Sequence, residues 1–188
     1  MIQLTPFPDK RLDYYCAYCG ENMPNTRDHV PSRILLDDPF PENLPVVGCC
    51  EKCNNEFSKD EGYFATAIEC MIHCTRDTES LSRKKIKRTL NKSGKLKGDI
   101  AESFLEEDPV LFPDIVRKLF FRIDRQRFEN VIIKLAKGHV KFELSTPIFR
   151  SPDVIWFGFV NEMSQEDYDV IFSTDRLEKS PEIGCRAF

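Results

Sequence analysis

Two Cys-x-x-Cys pairs stand out first: Cys16 with Cys19, and Cys50 with Cys53, separated by thirty residues. Four thiolates arriving from two such knuckles suit a tetrahedral zinc ion, and an all-cysteine site is of the closed, structural kind. Disulfides are the competing use of these cysteines. The chain has eight cysteines and three histidines, and Met1 to Lys10 carries no signal-peptide pattern, which favours metal ligation in a reducing, cytoplasmic compartment. Cys49 competes with Cys50 as the third ligand; Cys50 is preferred because it keeps the two-residue gap to Cys53.

Between and just after the knuckles lie Asp28-His29, Asn43 and Asn54. Residues 26–30 have β-branched ends and are flanked by the turn formers Pro24-Asn25 and Pro31-Ser32, so they read as a strand. Residues 43–47 read as a second extended piece, and the residues after Cys50 as a short helix. A hairpin followed by a helix would carry Asp28, His29 and Asn54 towards one another. A lone histidine is more often an ordinary surface or core residue than a catalyst. Here an aspartate precedes it and a knuckle lies on either side.

Asp28-His29, then Asn43-Leu44, then Cys50-x-x-Cys53-Asn54, in that order and inside two zinc knuckles, resembles the HNH endonucleases of the His-Me finger superfamily. The resemblance covers residues 16–61, about a quarter of the chain, and departs from the family's name at Asn54, where many members have His. It implies a zinc-stapled ββα-metal core that hydrolyses phosphodiester bonds with one Mg²⁺ or Mn²⁺ ion. By resemblance, Asp28 and Asn54 (or its neighbour Asn55) hold that ion, His29 is the general base, and Asn43 orients the hairpin that carries His29. This division of labour suits the chemistry. A neutral histidine can take a proton from water near pH 7, and a hard cation held by one or two oxygen ligands can polarise the phosphate and stabilise the leaving oxygen. DNA is the first expectation for the substrate, RNA the alternative. One finger makes one cut, so duplex cleavage needs a homodimer or two successive nicks. The resemblance also implies a setting in phage defence or a mobile element, and a regulatory protein partner. The competing reading is a non-catalytic zinc module that binds nucleic acid or a partner protein.

The whole chain of 188 residues is 41% hydrophobic and 31% charged, with formal net charge −4. That charge gives nucleic-acid binding no general support. Residues 83–97 are the local exception, with eight cations and no acid: Arg83, Lys84, Lys85, Lys87, Arg88, Lys92, Lys95 and Lys97. Clustered cations bind phosphates through counterion release, and this run is the expected nucleic-acid contact; a solvated helix face is the bland alternative. Gly94 and Gly98 suggest that its end is mobile. No apolar run is long enough to span a bilayer.

The elements that must carry these residues give an α+β protein, divided into a nuclease core over 1–75 and a helical and β region over 76–188. Ser58-x-x-Glu61 has the form of a capping box, which starts a helix after Ser58. Cys70, His73 and Cys74 read as helix residues rather than as a second metal site. Residues 99–114 read as short helices, and Ile115, Leu119 and Ile123 as one more. Asp124 caps another, with Phe128, Ile132, Leu135 and Ala136 on its face and Gly138 as its stop. The alternation of Val140, Phe142 and Leu144, together with residues 154–160, 168–173 and 183–188, predicts a small antiparallel sheet at the C-terminal end.

Overall fold

The computed structural model describes residues 13–21, 23–75, 77–106, 119–150 and 163–172. Strand β1 (Thr26–His29) pairs antiparallel with β2 (Val46–Cys49), Thr26 facing Cys49 and His29 facing Val46. Helix α1 (Glu51–His73) follows directly. Helices α2 (Lys84–Lys92) and α3 (Gly94–Ser103) come next, then β3 (Phe104–Glu106) paired antiparallel with β4 (Leu119–Phe121), then α4 (Arg125–Leu144) and α5 (Gln165–Phe172). The mixture of helices with two small antiparallel sheets is the expected α+β class. Among the described residues, no helix is long and apolar enough to cross a membrane.

The hairpin-then-helix order of residues 26–73 is as expected, but the helix is longer. One 23-residue helix replaces a short helix and a second one starting after Ser58. Cys50 is the N-cap, its sulfur accepting the amide of Cys53 at 3.5 Å, and Asn25 accepts the amide of Glu51 at 2.9 Å from across the hairpin. With those orphan amides satisfied at residue 50, Ser58 has helical neighbours on both sides and no end to cap.

Two apolar clusters share α1 and α4. One gathers Tyr63, Ala67 and Cys70 of α1 with Ile86, Leu90, Leu96, Ile100 and Phe128. The other gathers the knuckles with Val30, Val47 and Phe142. Asp124 caps α4 as expected, accepting the amide of Arg127 at 3.2 Å. The helix then runs through Gly138 to Leu144, so Val140, Phe142 and Leu144 are helical and not a strand. Its inner face is also rotated from the expected one: Phe128 is buried, but so are Val131, Lys134, Lys137, Gly138 and Lys141, while Ala136 is exposed. The period-2 alternation marks no single face of the helix: Phe142 is buried while Leu144 is exposed. The lysines turn inward because carboxylates and carbonyls meet them there.

Three further expectations change. Leu119 lies in β4 rather than in a helix, residues 165–172 form α5 rather than a strand, and residues 104–106 form β3 rather than part of a short helix. Residues 107–118, 154–160 and 183–188 lie outside the described residues.

Candidate functional site

The two knuckles meet at the open end of the hairpin. The amide of Ala17 donates to the carbonyl of Gly48 at 3.0 Å, which ties the first knuckle to β2, and Gly20 closes its turn with φ near +70°. A side chain at Gly20 would strike the Phe149 ring at 2.7 Å. The second knuckle is the first turn of α1. The sulfurs of Cys16, Cys19, Cys50 and Cys53 all lie within 4.8 Å of one another, with Cys19 and Cys50 at 4.0 Å. Around a tetrahedral ion with metal–sulfur bonds of about 2.3 Å, sulfurs stand about 3.8 Å apart. The four cysteines are therefore positioned to hold a metal ion. Among the described residues they are the one such group of three or more His, Cys, Asp or Glu side chains. The preference for Cys50 over Cys49 agrees with this geometry. Cys49 ends β2 with its side chain inward, its sulfur 3.2 Å from the carbonyl oxygen of Cys50.

The hydrogen bond from the Cys49 thiol, more than any other cause, holds Cys16 down at about 3, while Cys49 itself is pushed up by that bond and by burial. Cys53 is raised by burial first, then by its sulfur neighbours. A divalent cation bound by the four sulfurs would deprotonate the coordinating thiols. Cys70, His73 and Cys74 do not converge as a second site. Cys70 is in the helical core, its thiol raised to about 11 by burial, and Cys74 is the exposed, left-handed cap of α1.

Asp28 and His29 end β1, so their side chains alternate: Asp28 is inward and His29 half-buried. Inward, Oδ2 of Asp28 meets Lys134 Nζ of α4 at 2.7 Å and accepts from the Tyr18 hydroxyl. Burial, and then the charge of Asp28, raise Tyr18 so that it stays a donor. Lys134 Nζ also lies 2.5 Å from Oε1 of Glu61 on α1, and the Ser32 hydroxyl donates to Oε2 of Glu61 at 2.9 Å. Outward, Arg33 donates to Nε2 of His29 at 2.9 Å. Arginine can only donate, so the imidazole accepts and is neutral. Burial first, then the Arg33 charge, keep His29 below the ordinary 6.5.

Asn54, in the first turns of α1, gives its amide nitrogen to Thr26 Oγ1 at 3.2 Å, which leaves the amide oxygen as its cation donor. Asn43 is exposed in the loop before β2. Asp28, His29 and Asn54 thus stand on one ββα unit, yet among the described residues they share no hydrogen bond with one another. Lys134, Glu61 and Tyr18 are the members that sequence reasoning missed. Glu61 was assigned a capping role alone, and Lys134 lay on the helix expected after Asp124 with no role assigned to it.

No family model, curated protein or solved structure matches the chain. The reading of the site therefore rests on its geometry.

Of the eight cations in the basic run, three are engaged inside the molecule. Arg83 pairs with Asp37 at 2.7 Å and donates to the carbonyls of Ile34 and Leu36. Lys85 pairs with Asp38 at 3.3 Å and lies 3.8 Å over the Phe40 ring, and Lys87 donates to the carbonyl of Glu79 at 2.6 Å. The first two of these residues pin the loop that follows His29. Lys84, Arg88, Lys92, Lys95 and Lys97 are exposed, the first three at four-residue spacing along one face of α2.

Proposed function

We propose that the chain is a metal-dependent endonuclease of the HNH type, stapled by zinc and acting on DNA. The observation that carries this is the ββα unit itself: β1 ends in Asp28-His29, α1 opens with Asn54, and the four cysteines clamp hairpin to helix at the junction. The cysteine set suits zinc in donor type and spacing. The second oxygen of Asp28 and the amide oxygen of Asn54 are hard donors of the kind Mg²⁺ or Mn²⁺ takes. An ion held there would supply charge to the phosphate and to the leaving oxygen.

His29 is the general base, and it is neutral as that role requires. Its Nε2 is on Arg33, so that nitrogen accepts a proton from water only after the guanidinium has moved. A phosphodiester is the natural competitor, because guanidinium binds phosphate with charge-assisted, two-pronged hydrogen bonds. Asn43 keeps its proposed role on the hairpin, and the five exposed cations of α2 and α3 are the proposed track for the backbone of the nucleic acid.

One observation favours the competing reading of a non-catalytic zinc module: Asp28 already has a cation beside it, the Lys134 ammonium that it shares with Glu61. Incubation of zinc-loaded protein with supercoiled plasmid, single-stranded DNA and RNA, with Mg²⁺ or Mn²⁺ and with EDTA, decides between them. Divalent-dependent nicking that His29→Ala removes supports the nuclease; equal cleavage by both proteins overturns it and leaves the binding module.

A further inference from the structure

Lys134 is 1% exposed, Asp28 6% and Glu61 5%. Two carboxylates and one ammonium are therefore closed off from water together, more than a hundred residues apart in sequence at the widest. Lys134 Nζ sits 2.7 Å from Oδ2 of Asp28 and 2.5 Å from Oε1 of Glu61. Divalent ions such as Ca²⁺ take carboxylate oxygens at about 2.3–2.6 Å. The gap that the ammonium fills thus presents two carboxylate oxygens, Oδ2 of Asp28 and Oε1 of Glu61, that need close in only slightly to hold a divalent ion. Tyr18 and Ser32 close its remaining sides, donating to Oδ2 of Asp28 and Oε2 of Glu61.

We propose that Lys134 is a positioning residue: a built-in cation that occupies the gap between Asp28 and Glu61 and so confines the catalytic divalent ion to the other oxygen of Asp28. This rests on the reading of the hairpin as a nuclease centre. Without the ammonium, two buried carboxylates face each other uncompensated, and that arrangement is strongly unfavourable until a cation enters or one of them takes up a proton. An ion in the gap is walled in by α1, α4 and the first knuckle, where a phosphate cannot follow. Its binding is tight and unproductive. In the native protein Oδ2 of the Asp28 carboxylate is taken by Lys134 and Tyr18, which leaves Oδ1 for the catalytic ion. Helix α4 is then part of the catalytic centre.

The test measures Mn²⁺ binding by electron paramagnetic resonance alongside plasmid nicking, on the zinc-loaded protein. Lys134→Met keeps the apolar stem and removes the charge. It should bind Mn²⁺ about tenfold or more tightly, from the loss of one unit charge within a few ångströms, and yet nick at least about 10²-fold more slowly at saturating Mn²⁺, a loss of the size that follows from misplacing a catalytic group. Lys134→Arg, which retains the charge, should recover most of the rate and wild-type Mn²⁺ affinity. If Lys134→Met does not fold, Lys134→Gln, whose amide can donate to both carboxylates, is the second neutral variant. Slower nicking with unchanged or weaker Mn²⁺ binding overturns the proposal in favour of a purely structural lysine, and so does wild-type nicking. A wild-type protein that neither nicks nor binds Mn²⁺ overturns the nuclease reading and this inference with it.

Discussion

Gly138 of α4 lies directly against Val30, the residue after His29: a Cβ at position 138 would stand 2.7 Å from Val30 Cγ2 and 3.3 Å from the Tyr18 hydroxyl. The glycine is not a helix stop. It is the place where α4 approaches the hairpin closely enough for Lys134, one turn earlier on the same face, to reach Asp28.

Gly138→Ala should therefore destabilise the protein despite better helix propensity. Overpacking typically costs about 1–3 kcal/mol, against a gain of about 1 kcal/mol for replacing a helical glycine. Val30→Ala should make room for the new methyl, so the double variant should lose less than the sum of the two single ones. Thermal and urea denaturation of the four proteins measure the coupling; strict additivity would mean that the two residues do not touch.

Native protein should carry one zinc ion. Cys50→Ser should lose it, and with it much of the fold, since metal binding and folding are one equilibrium in such sites. Cys49→Ser should retain the metal, because its sulfur lies outside the cluster. Metal analysis by atomic emission, with and without a chelator, separates the two. Protein purified without zinc, or equal loss in both variants, contradicts the assignment.

His29→Ala should slow cleavage by about 10²–10⁴-fold, the usual worth of a general base, with no response to added metal. Asp28→Ala and Asn54→Ala should respond in part to excess Mn²⁺, and Asn55→Ala should be nearly silent. Because His29 is held below 6.5 by burial and by Arg33, its base form is present at neutral pH and is lost as pH falls through that lowered value. Arg33→Gln should move the acid limb of the rate profile to higher pH. A limb that does not move assigns it to another group.

The basic run should divide into two classes. Changing Lys84, Arg88, Lys92, Lys95 and Lys97 to Gln should weaken nucleic-acid binding and reduce its salt slope by about 0.9 for each phosphate no longer neutralised, with the melting temperature retained. Arg83→Gln should instead lower the melting temperature, since it frees Asp37 and two carbonyls. Filter binding across a salt series reads the first effect; an unchanged slope would leave the five cations as a solvated face.

Glu69 gives a stability prediction remote from the site. Its Oε1 accepts from the Ser82 amide and hydroxyl and from the Arg83 amide, at 2.8–2.9 Å, and so braces the entry to α2. Burial is the largest influence and pushes its pKa up, but these hydrogen bonds together hold it below 4.5. A depressed pKa contributes stability above the unfolded value that disappears as pH falls through the folded one. Glu69→Gln should cost about 1–3 kcal/mol at pH 7, and the difference from wild type should shrink below pH 4.5. A constant difference would show that charge plays no part.

The sequence by itself determined what is local. The two knuckles are set by ligand spacing, and the hairpin at Thr26–His29 by turn residues on both sides. The start of α4 is set by the Asp124 cap, whose partner is three residues away. Each of these depends on a few neighbouring groups. Tertiary structure decided the rest. Ser58 caps nothing because Cys50 had already satisfied the helix start. Residues 140–144 are helical because α4 packs along the hairpin past Gly138. Above all, periodicity assigns a lysine to solvent, and Lys134, Lys137 and Lys141 are buried. A buried ammonium is stable only where it meets its counter-charges, and those of Lys134, on β1 and α1, come from distant parts of the chain that only folding brings together.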